Sequence, residues 1–124
     1  MISGLQDVYV NVASMERAVS FYRDVLGFRM VEEGDWWCAF DVGGLRFGLH
    51  WTGGEEVPPL PHDDHGPQTG AVLTFRVRDL FSIVDHLTDE GVKFLGEIDA
   101  QPWGSTIAFT DPDGNVHKLL QPPT

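Results

Sequence analysis

Val12, Met15, Ala18 and Val19 are matched at one constant spacing of 65 residues by Val77, Leu80, Ile83 and Val84. The chain therefore repeats one folding unit, because shared composition would not reproduce a matched order of strand and helix positions. In the first copy Val8, Val10 and Val12 alternate, which is the period of a strand with one buried face. A helix is predicted next, since Met15, Ala18, Val19, Tyr22, Val25 and Leu26 recur every three to four residues. Ser14 is its N-cap and Gly27 its stop. The second copy follows the same plan, with Leu73, Phe75 and Val77 alternating, Asp79 as cap, Leu80, Ile83, Val84 and Leu87 as the apolar stripe, and Gly91 as stop.

Three short strands are predicted after each helix, near residues 27–32, 36–42 and 45–51 and near 92–98, 104–110 and 115–121. Gly43-Gly44 forms a two-residue hairpin loop, and Asp111-Pro112-Asp113-Gly114 has the residue order of a type I turn. Each half is βαβββ, so the fold class is α+β. We expect a single domain over 1–124, with module one at 5–51, a linker at 52–69 and module two at 70–121. The linker stretch 53–69 holds four prolines, four acids and no base, a composition that argues against a helix or a central strand.

Charge narrows the partners. Eight Lys+Arg stand against 19 Asp+Glu, a formal charge of −11. So few scattered bases exclude duplex nucleic acid as a partner, and acidity disfavours an anionic membrane surface. Cys38, the one cysteine, has no partner for a disulfide. The start, MISGLQDVYV, lacks a signal-peptide pattern, and no run has the length of a membrane span, so we expect a cytoplasmic protein. No hydrolytic triad and no glycine-rich phosphate loop are visible.

The V-x-V strand, the helix with FYRDVLGF, and the repeat ending in FTDPDGNVHKLLQ together resemble the vicinal oxygen chelate superfamily, which includes glyoxalase I, extradiol dioxygenases and bleomycin-resistance proteins. The resemblance covers nearly the whole chain. It implies two βαβββ modules whose sheets curl into a cup that holds a small-molecule ligand, commonly in a homodimer. In metal-using members four ligands, usually His or Glu, project into the cup from four strands. Carried over by position, those sites fall on Asp7, Gly48, Val72 and Lys118. Glycine and valine offer no donor and an ammonium repels a cation, so the resemblance implies neither metal nor other cofactor here. His50, one cup-facing step beyond Gly48, with Asp7, or the run His62-Asp63-Asp64-His65, are the places that offer donors for a displaced metal site.

Strand parity sends Val8, Val10 and Val12 to the helix and leaves Asp7, Tyr9 and Asn11 for the cup. The same rule puts Arg46, Gly48 and His50, and Val72, Thr74 and Arg76, on the cup side. Candidate ligand-binding residues are therefore Tyr9, Asn11, Trp36, Trp37, Arg46, His50, Thr74, Arg76, Trp103 and Lys118. Of the tryptophans, Trp51 and one of Trp36 and Trp37 are expected to pack, leaving the other, with Trp103, to stack on a planar ligand. Arg46, Arg76 and Lys118 either recognise an anionic or carbonyl-rich ligand or pair with carboxylates such as Asp7 or Asp41.

Three functions remain open. The first expectation is a metal-free protein that sequesters or carries an aromatic or antibiotic-like compound, similar to bleomycin-resistance proteins. The alternative is a glyoxalase- or dioxygenase-like enzyme, a lyase or isomerase, with a divergent metal site or with His50 or Asp7 as catalytic base; convergence of those two side chains discriminates. The third is a cup filled by the protein's own side chains, serving assembly.

Overall fold

In the computed structural model, which describes residues 1–124, the alternation at Val8, Val10 and Val12 becomes strand β1 (Val8–Val12). Ser14 then starts the helix: its backbone is extended and its side chain accepts from the Arg17 amide at 3.2 Å, satisfying a donor that a helix start leaves open. Helix α1 covers only Met15–Val19, and Ser20–Val25 continues it as π-helix rather than as the single α-helix expected from the spacing. The Leu26 amide donates to the Phe21 carbonyl at 2.9 Å, a step of five residues. The repeat supplies the reason. Ser14 to Gly27 is 13 positions (27 − 14) and Asp79 to Gly91 is 12 (91 − 79), so the first helix holds one residue more between cap and stop. A π turn absorbs an extra residue.

The first compact unit, Met1–Val57, continues with β2 (Arg29–Glu32), β3 (Trp37–Val42) and β4 (Leu45–Trp51), in sheet order β1-β4-β3-β2. β1 runs parallel to β4, from Val8↔Phe47 to Val12↔Trp51. Parallel neighbours need a crossover, and α1 with its π continuation provides it. Phe40, Phe47 and Leu49 are buried beneath it, and the Tyr22 ring lies 4.9 Å from Phe47 and 5.8 Å from Phe28. Burying each such side chain stabilises the unit by roughly 1.5–3 kcal/mol. Gly43 and Gly44, with φ of 60° and 94°, make the tight β3–β4 turn that an L side chain resists.

The second unit, Pro58–Thr124, opens with a feature the proline content conceals. The stretch expected to be a linker forms a short hairpin, β5 (His62–Asp63) with β6 (Gly66–Pro67). Two-residue strands ask few donors of a proline-rich backbone. The Gln68 amide adds a bond to the Pro61 carbonyl at 2.9 Å. The hairpin lies on the sheet of its own unit: a Cβ on Gly66 would stand 3.5 Å from Cδ of Lys118 and 3.8 Å from Cβ of Ala108.

That sheet contains β7 (Thr74–Arg76), β8 (Lys93–Gln101), β9 (Gly104–Thr110) and β10 (Val116–Gln121), ordered β7-β10-β9-β8. β7 and β10 are parallel, and helix α2 (Leu80–Asp89), capped by Asp79 on the Ser82 amide, makes the crossover. Leu80, Leu87, Ile107, Phe109 and Leu119 are buried with His117. At the β9–β10 turn the Gly114 amide donates to the Asp111 carbonyl at 3.0 Å, closing the expected turn. The buried Asp111 carboxylate accepts from the amides of Asp113 and Asn115 at 2.9 and 2.8 Å and from the Asn115 side chain at 2.9 Å. No helix is long and apolar enough to cross a membrane.

Two stability predictions follow from these buried polar groups. Asp111→Ala strands two backbone donors and one amide, and urea unfolding should register a loss of about 2–4 kcal/mol. His117 lies 5.6 Å from the rings of Phe75 and Phe109, and burial pushes its pKa down from 6.5 to about 4. The folded state thus binds this proton less well than the unfolded chain. Its contribution is complete above pH 6.5 and is lost as pH falls towards 4, a difference of about 3 kcal/mol. Unfolding curves across that window should steepen this loss in wild type and flatten it in His117→Phe; identical acid sensitivity in both would reject the assignment.

Candidate functional site

On β1, β3 and β4 the residues that turn away from the helix are Tyr9 and Asn11, Trp37, Ala39 and Asp41, and Arg46, Gly48 and His50, as parity predicts. The register lines them up in rows. One row is Asn11, His50 and Trp37, and the next is Tyr9, Gly48 and Ala39. The His50 Nδ1 atom is 3.1 Å from Oδ1 of Asn11. A carbonyl oxygen only accepts, so Nδ1 is the donor in this contact. Tyr9 meets Trp37 edge-on at 5.5 Å and lies 5.9 Å from the His50 ring. The exposed imidazole is therefore oriented by Asn11 beside two aromatic side chains, an arrangement suited to general base chemistry on a small molecule. Asp7 precedes β1 and makes no hydrogen bond to His50. The discriminating convergence of His50 and Asp7 is therefore not seen; His50 meets Asn11 instead, because the parallel register opposes those two residues.

The charged residues of this face neutralise one another. Arg46 is paired with Glu32, and Arg29 with Asp41 at 2.5 Å. The hydrogen bond from Arg29, helped by the Gly44 amide, holds the Asp41 carboxyl below its usual range. Glu32 escaped sequence reasoning because β2 carries a register shift between Met30 and Glu32, and a bulge breaks the parity count. Trp36 lies outside β3, which begins at Trp37, and packs on Trp51 at 4.6 Å while staying exposed. Trp51 in turn donates its indole N–H to the Ala13 carbonyl at 3.0 Å. Trp103 is exposed in the turn between β8 and β9. On the second sheet Thr74 pairs with Lys118 and Arg76 with Leu120.

The four positions at which the resemblance places metal ligands do not fit a metal. Val72 is exposed and apolar, and the stem of Lys118 lies beneath Gly66. At Gly48 the obstacle is steric as well as chemical: the benzenoid ring of Trp37 occupies the space of a Cβ, overlapping it at Cη2 and Cζ2. A donor side chain there would have to displace the indole. Glycine within a strand is the sequence signal of such close approach. Within neither unit do three His, Cys, Asp or Glu side chains gather. The His62–His65 run spends its groups locally, with His62 Nδ1 2.9 Å from the Leu60 carbonyl and Asp63 accepting from the His65 amide at 2.8 Å.

Gly48→Ala should therefore move Trp37. The expected result is an altered near-ultraviolet circular dichroism signal and a loss of about 1–3 kcal/mol in urea unfolding, both relieved when Trp37→Ala is added. A silent Gly48→Ala would contradict the packing.

Comparison with known proteins sharpens what such a face is used for. Residues 4–119 match the sequence profile described as the Glyoxalase/Bleomycin resistance protein/Dioxygenase superfamily. The metallothiol transferase FosB of Staphylococcus saprophyticus is 26% identical over 96% of this chain and 77% of its own length. A probable lactoylglutathione lyase of Synechocystis is 28% identical over 90% of each. FosX, a fosfomycin resistance protein of Listeria monocytogenes, shares the fold at a TM-score of 0.75 and 16% identity, covering 99% of this chain and 96% of that one. A transferase and a lyase among the relatives overturn the first functional expectation, a metal-free protein that only sequesters or carries its ligand. That expectation rests on missing metal donors and spare aromatic side chains, and neither decides whether a bound molecule is transformed. The profile match over both copies of the repeat, on the fold described above, places this chain in the glyoxalase/bleomycin resistance protein/dioxygenase superfamily.

Proposed function

We propose that this protein is a glyoxalase-like enzyme, a lyase or isomerase that moves a proton on a small oxygen-rich substrate, with His50 as the base. The observation that carries this reading is the His50–Asn11 pair at 3.1 Å, which fixes the imidazole with Nε2 available on an exposed sheet face. His50 removes the proton from a hydroxyl-bearing carbon beside a carbonyl, the C–H electron pair forms an enediolate, and the imidazolium returns the proton to the former carbonyl carbon while the hydroxyl proton passes to the oxyanion and its own carbon becomes the new carbonyl. The Tyr9 hydroxyl is the donor for the developing oxyanion, and Trp37 gives the site an apolar wall. No step is assigned to a metal, since Gly48 and Val72 bring no donor. The relatives named as a transferase and a lyase support an enzyme over a carrier. The same reading takes residues 1–124 as one domain, in keeping with the profile match across both copies, and the protein as a cytoplasmic homodimer.

The test is proton exchange in D2O, followed by nuclear magnetic resonance, with lactoylglutathione and simple α-hydroxy ketones as substrates. Deuterium should enter beside the carbonyl. His50→Gln should slow it roughly 100-fold or more and Asn11→Ala roughly tenfold. Exchange that survives His50→Gln at the wild-type rate, or none with any substrate, would defeat the proposal.

A further inference from the structure

Wholly within the second unit, a cavity of about 460 Å³ is lined by Arg76, Val77, Arg78, Gln121, Pro122 and Thr124. Its two arginines differ from those of the first unit. Arg23, Arg29 and Arg46 are each neutralised by Asp24, Asp41 and Glu32, whereas Arg76 and Arg78 are exposed and make no ion pair. In a chain with 19 acids and 8 bases, two unpaired guanidinium groups on one cavity are out of keeping with the local neutralisation seen elsewhere.

The backbone that carries them is fixed on both sides. The Val77 amide donates to the Leu120 carbonyl at 2.9 Å, and the Leu80 amide to Oε1 of Gln121 at 2.8 Å. The second bond also orients Gln121, whose Nε2 remains as a donor. Asp79, the one acid between Arg78 and the helix, is occupied as the cap on Ser82 at 3.2 Å. Two planar forks and an amide donor on a pinned backbone suit a dianionic tetrahedral oxyanion. The cavity is larger than an inorganic phosphate needs.

We infer that this cavity binds the phosphate group of a small phosphorylated molecule through Arg76, Arg78 and Gln121. The inference stands independently of His50. Calorimetric titration of the full chain with phenyl phosphate, against inorganic phosphate and acetate at matched ionic strength, tests it. Phenyl phosphate should bind best and acetate least. Arg76→Gln with Arg78→Gln should weaken phenyl phosphate at least roughly tenfold, and Arg76→Lys with Arg78→Lys, which keeps the charge but loses the forks, by less. Lys93→Gln, a cation outside the cavity, should bind as wild type. The inference is overturned if phenyl phosphate gives no heat, if the double glutamine variant binds unchanged, or if Lys93→Gln weakens binding equally. Should the glutamine pair fail to fold, unchanged affinity in the lysine pair overturns it just as well.

Discussion

Pairing the first and last strands of a module in parallel commits the chain to a crossover, and the crossover commits one face of the sheet to a helix. In the first unit that commitment is the stack of Tyr22 on Phe47 with Phe28 and Phe40 around it. Because side chains alternate with period two, the residues left on the other face follow automatically. Tyr9, Asn11, Gly48 and His50 are there because Val8, Val10, Phe47 and Leu49 are not. A slip of one residue between β1 and β4 would bury the imidazole and expose the aromatic core, so the apolar packing that holds the unit together also decides which side chains the other face presents.

The two modules share this frame and diverge in what it displays. Tyr9 opposes Gly48 in the first sheet where Thr74 opposes Lys118 in the second, and Asn11 opposes His50 where Arg76 opposes Leu120. On the helix face Phe47 has His117 as its counterpart, so an aromatic hydrocarbon is replaced by a buried imidazole that must stay neutral. The first sheet keeps its imidazole, His50, at the surface. In the second, the hairpin of residues 62–67 rests on Lys118 and Ala108. The repeat is thus a repeat of scaffold, and the side chains displayed on it differ between the modules.

Where periodicity alone decides position, the sequence could be read closely. The parity of β1, β4 and β10, the caps at Ser14 and Asp79 and the Asp111 turn all rest on local rules, and all stand where those rules put them. What resisted reading depends on contacts between distant segments. Glu32 reaches Arg46 across a bulge, Trp37 lies over Gly48 from the neighbouring strand, and Gly66 finds its place only against Lys118. The partner of His50 was settled by strand register, which sequence patterns leave free. Function was least legible, since the absence of donors at Gly48 and Val72 speaks about a metal and is silent about His50.

The extra residue of the first helix bears on how two such modules drift apart. A sheet with one dry face has no tolerance for a single insertion, because every later side chain would change sides. A helix with a free outer surface does, and the π turn at Ser20–Val25 is where this chain has used it. Length changes of one residue should therefore accumulate in the crossovers of this architecture while the strands remain in step, so the spacing between cap and glycine stop keeps a record of divergence that the strands are not free to keep.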